Sequence, residues 1–78
     1  KAAREPGAIR AATEGIPGVQ SAYSIRSRSA SGIVFAELTI KVIGTMPVDE
    51  AHAIADAVEV RLKDSLQLDH VIVHIEPC

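Results

Sequence analysis

The sequence predicts an α+β two-layer sandwich, with a three-stranded mixed sheet and two helices on one face, in the order α-β-β-α-β. Three patterns carry this. From Ile33 to Ile43 apolar residues alternate, with Val34, Ala36, Leu38, Ile40 and Val42 on one side. From Pro47 onward the apolar spacing changes to three and four, through Val48, Ala51, Ala55, Val58, Leu62 and Leu66. From His70 to Glu76 alternation returns, with Val71, Val73 and Ile75 on one face and His70, Ile72, His74 and Glu76 on the other.

The first element is a short helix over 6–14. Pro6 suits a first helical turn, Ile9, Ala12 and Ile16 make its stripe, and Gly15 stops it. Ile16-Pro17-Gly18-Val19 then forms a turn. A strand over 20–28 follows, with Ser29-Ala30-Ser31-Gly32 as the hairpin loop. Gly44-Thr45 breaks the second strand. Asp49 and Glu50 sit in the first turn of the long helix, where the helix dipole favours negative charge. The last strand begins near Asp69. A strand-helix-strand unit crosses over right-handed, so the third strand should run parallel to the second. Both helices then cover the aliphatic face. The other face stays open and carries Phe35, Glu37, Thr39, His70, Ile72, His74 and Glu76.

Composition narrows the function classes. Seventy-eight residues, 47% hydrophobic and 3% aromatic, support one domain with a light aliphatic core. Such a core gains from dimerisation or metal binding. Net charge is −2 without a basic run, so no nucleic-acid partner is expected; Arg26 and Arg28 read as a solvated strand face. Nothing approaches the ~20 apolar residues needed to span a bilayer, and no signal peptide is visible. The opening at Lys1 fits a piece of a longer protein, and fits a processed N-terminus equally. There is no Gly-rich phosphate loop. The one cysteine, Cys78, has no positioned base, so an enzyme is not expected. Cys78 is either a stray terminal thiol or a soft ligand or intermolecular disulfide.

The open face supplies the chemistry. His74 and Glu76 are two apart on one strand face, with Cα atoms roughly 7 Å apart, and can lean onto one divalent ion. They make half a site; the remaining donors would come from Glu37, from His52 or from a second subunit. His70, His74 and Glu76 could equally be the polar side of an amphipathic strand. His52 and Asp56, four apart on one helix face, could bind metal or merely share a surface hydrogen bond. Phe35 either covers Ile72 or contacts a symmetry mate.

Four segments, taken in order, resemble a known family. Ile16-Pro17-Gly18-Val19, then Ile25-Arg26-Ser27-Arg28 with Ser31-Gly32, then Glu50 to Glu59, then Val71 to Pro77 look like the C-terminal cytosolic domain of cation diffusion facilitator transporters. The resemblance implies a metallochaperone-like, ferredoxin-like fold and a homodimer on the cytoplasmic side of a membrane. It also implies a covalently linked six-helix membrane domain upstream, and a regulatory divalent metal at the positions of His52, His74 and Glu76. The chain departs from the family in having Tyr23-Ser24 where many members have His-Asp, and Thr39 where zinc exporters often have histidine. Phe35 and Glu37, an aromatic and a carboxylate two apart, are similar to the magnetosome branch.

The expectation is therefore a metal-sensing dimer of a divalent-cation/proton antiporter, binding zinc, iron or manganese at Glu37, His52, His74 and Glu76, with His70, Asp56 and Cys78 as further donors and Phe35 at the interface. Two rivals stand beside it: a purely structural homodimerisation module, and a metabolite-binding regulatory domain.

Overall fold

The computed structural model describes residues 2–78, in which the expected five elements appear: α1 (Pro6–Glu14), β1 (Ser21–Ala30), β2 (Ile33–Val42), α2 (Val48–Leu66) and β3 (His70–Pro77). The sheet order is β1-β2-β3. β1 runs antiparallel to β2, and β3 runs parallel to β2. The α+β class and the mixed three-stranded sheet are as the periodicity predicts.

β2 is the central strand because its inward residues are all aliphatic. Val34, Leu38 and Ile40 are fully buried, and Ala36 and Val42 nearly so. Ile9 of α1, Val58 and Leu62 of α2 and Val71 of β3 close over them. Burying such side chains contributes about 1.5–3 kcal/mol each. Val48 leaves the predicted stripe: it is the first residue of α2, with no preceding helical turn to pack beside it, and is 71% exposed. Ile54, outside that stripe, packs on the core instead.

The hairpin is longer than the sequence suggests. Ser29 pairs with Val34 and Ala30 with Ile33, so the loop shrinks to Ser31-Gly32. Both carry positive φ, 52° and 78°. A two-residue turn of that kind matches the right-handed twist of its strands.

β1 also holds a bulge that the sequence does not announce. Tyr23 faces Thr39 and Arg26 faces Glu37, so two β1 residues stand opposite one on β2. Ser24, at φ 52°, is the kink. Strand alternation would set Tyr23 and Arg26 on opposite faces. The bulge inverts the parity and brings both to the open face. α1 braces this irregular stretch: Glu14 Oε2 accepts from the Ala22 N–H, and Arg10 Nε donates to the Ala22 carbonyl.

At the other end, β3 is set in register by a pair of bonds. Asp69 N–H donates to the Val34 carbonyl, and Val34 N–H donates to Asp69 Oδ2 at 2.8 Å. Cys78 is tied by its backbone, its N–H donating to the Val42 carbonyl. No helix among the described residues is long and apolar enough to cross a membrane.

Candidate metal centre

Register fixes which side chains share the open face. Arg28, Phe35 and His70 form one row across the three strands; Arg26, Glu37 and Ile72 form the next; Tyr23, Thr39 and His74 the third; Lys41 and Glu76 the fourth. Each row is linked internally or to its neighbour. Arg28 lies 4.6 Å from the Phe35 ring centroid, and Phe35 stacks on His70 at 5.2 Å. Phe35 is thus held between a guanidinium and an imidazole, and Ile72 stays 56% exposed.

The third and second rows meet at His74 and Glu37. His74 Nε2 stands 2.7 Å from Glu37 Oε2, with both side chains about half exposed. An ionised carboxylate only accepts, so the imidazole nitrogen is the donor. That hydrogen bond, joined by the charges of Arg26 and His74, holds the Glu37 carboxyl below its usual value of 4.5, against an opposing desolvation. A metal taking the proton's place would be coordinated by one nitrogen and one oxygen. Two donors on a tetrahedral ion, each bonded at about 2.1 Å, stand about 3.4 Å apart. The pair would need to open by well under one ångström, which two half-exposed side chains can do.

Glu76 points to the same face but has another partner. The Tyr23 phenol donates to Glu76 Oε1, and Lys41 Nζ lies 5.5 Å from the Tyr23 ring centroid. The bond to Glu76 is the main cause that pushes the Tyr23 phenol above 10.0. Of the expected ligands, then, Glu37 and His74 are joined directly and Glu76 is engaged separately.

His52 and Asp56 project from α2 rather than from the sheet. With Glu59 they line a shallow groove against β3, and Val73, His74 and Ile75 form its other wall. His74 is common to this groove and to the pair with Glu37, because β3 is an edge strand with α2 on one side and the open face on the other. His70 is taken up by Phe35. Cys78 is exposed, with a free thiol. Among the described residues no three or more of His, Cys, Asp and Glu gather closely enough to hold an ion within one chain.

No pattern in the sequence assigns Tyr23 a role. Its only signal was the departure from His-Asp, and the bulge that turns it to the open face leaves no mark in the sequence.

The family model for the cation efflux protein, cytoplasmic domain, matches residues 4–78. The chain belongs to this family. The domain is accordingly a cytoplasmic one. Among relatives, the cation-efflux pump FieF of Cronobacter sakazakii is 32% identical over 62 residues, and that of Escherichia coli 31%, each alignment covering 80% of this chain. The match spans only 21% of either pump. Among solved structures, the MamM C-terminal domain superimposes with a TM-score of 0.87 at 26% identity, over 92% of each chain. A variant of it in a cadmium form gives the same TM-score at 27% identity, over 92% of this chain and 91% of that one. Further MamM variants are solved in nickel and copper forms. The family resemblance read from the sequence is met by the cation efflux match, and the likeness to the magnetosome branch by MamM.

Proposed function

We propose that this domain is the metal-responsive dimerisation module of a longer divalent-cation/proton antiporter. The observation that carries the reading is the Glu37–His74 pair on an otherwise unpartnered sheet face. It supplies two donors of the type that transition metals use. His52, across the rim of β3, and Glu76, one step along it, are the further donors, in the same chain or from a second copy. The cadmium, nickel and copper forms of MamM variants and the dimer named in the family model support metal binding and self-association in this fold.

Function follows from incompleteness. A single chain offers a cation two directly joined donors, whereas an ion wants about four, counting water. A second copy brought against the first completes the shell. Two copies that sample splayed and closed arrangements are shifted toward the closed one by metal, to the extent that metal binds it more tightly. Closure then biases the attached membrane helices. Nitrogen and oxygen donors are shared by zinc, iron and manganese, so the regulatory metal is set by availability as well as by the site.

Calorimetry at pH 8 with zinc, iron(II), manganese and copper tests this. Heat from at least one ion is expected, weakening below about pH 6 because imidazole must be neutral to coordinate. Absence of heat with all four ions ends the reading.

A second reading has one observation in its favour. The lack of a three-donor cluster among the described residues suits a module that only dimerises. His74→Ala and Glu76→Ala separate the two. Loss of metal-induced stabilisation with dimerisation kept supports sensing, and no change in either supports the structural module.

A further inference from the structure

Tyr23 sits at the bulge of β1 and reaches across the sheet. Its phenol meets the Glu76 carboxylate two strands away. Lys41 lies against its ring. Thr39, between Tyr23 and His74 in the row, is left only 9% exposed although it belongs to the open face. The ring is therefore part of the surface, spanning from β1 to β3. Its position depends on the Ser24 kink, without which the side chain would point into the helix layer.

We propose that Tyr23 is a latch on Glu76: its phenol competes with a divalent cation for the carboxylate and so sets the affinity of that half of the site. This rests on the reading that Glu76 takes metal. A carboxylate oxygen that accepts the phenol proton has that lone pair occupied. A cation approaching Glu76 either displaces the phenol or binds only through the lone pairs that the phenol leaves free. Where the ion displaces the phenol, its capture loosens a side-chain tie between β1 and β3, and α1, which braces β1 beside the bulge, feels the release.

The test uses an intrinsic reporter. Tyr23 is the only tyrosine and there is no tryptophan, so tyrosine emission reports this phenol alone. A hydrogen bond to a carboxylate quenches that emission. Zinc, which has a closed shell, is titrated at pH 8 into the wild type, Tyr23→Phe and Glu76→Gln, followed by emission and calorimetry. In the wild type, emission rises in step with the heat. In Glu76→Gln it is high from the start and does not respond. Tyr23→Phe keeps the ring over Thr39 and binds zinc about fivefold tighter, the scale of one exposed charged hydrogen bond. Zinc heat without an emission change, or equal or weaker binding in Tyr23→Phe, overturns the latch and leaves the Glu37–His74 reading standing. No zinc heat in either the wild type or Tyr23→Phe overturns the latch, and the Glu37–His74 reading falls with it when iron(II), manganese and copper give none either.

Discussion

Glu37 and His74 meet diagonally across the central and edge strands, Oε2 to Nε2 at 2.7 Å, one register row apart. Neither is buried, so the pair is weak as a stabilising contact and available as a binding one. Exposed ion pairs contribute little to folding. Both donor atoms are therefore within reach of solvent and of an ion in it.

A pH consequence follows from the lowered Glu37 carboxyl. A group whose folded-state pKa is depressed adds stability that is fully present above its unfolded value, here near 4.5, and lost as pH falls through the lower folded value. Glu37→Gln should therefore flatten the fall of the melting temperature below pH 4.5. Thermal unfolding of both proteins between pH 6 and pH 3 measures this, and parallel curves would contradict it.

Gly18 has a positive φ of 95°, and a Cβ built there would lie 2.5 Å from Ile54 Cδ1. Gly18→Ala has to strain the backbone and push Ile54 off the core. The expected loss is about 2 kcal/mol, read from urea unfolding. Gly7, with nothing near its Cβ position, is the control at which alanine should cost nothing.

Thr13 is fully buried in α1, and its hydroxyl oxygen has no hydrogen-bond partner among the described residues. Thr13→Val keeps the shape and removes an unpaired polar group. It should raise stability by about 1 kcal/mol. An unchanged or lower urea midpoint would mean that the hydroxyl is satisfied in solution.

How much of this was legible in the sequence varies by element. β2 and β3 were readable because each buries one face, and alternation is then dictated by burial. Their outward residues, Glu37, His74 and Glu76 among them, followed at once. β1 was legible as a strand but not in its facing: Tyr23-Ser24-Ile25-Arg26 alternates in sequence, which would set Tyr23 and Ile25 on one face, and the bulge breaks that parity midway. Hence Tyr23 had no predicted partner, although the departure from the family's His-Asp pointed to the position. The hairpin strands outrun the expected loop because Ser29 and Ala30 are small enough to suit either a strand end or a turn. His52 and Asp56 fell on one helix face as spacing predicts. Their approach to His74 across the β3 rim depends on how α2 lies over the sheet, which spacing alone does not give.

The central claim is that a cation held by Glu37 and His74 draws two copies together. Small-angle scattering at pH 8, with and without zinc, on the wild type and on the Glu37→Gln/His74→Ala double variant, tests it most directly. The account predicts that zinc reduces the radius of gyration of the wild-type dimer and leaves the double variant unchanged. An equal compaction in both proteins, or none in either, would contradict it.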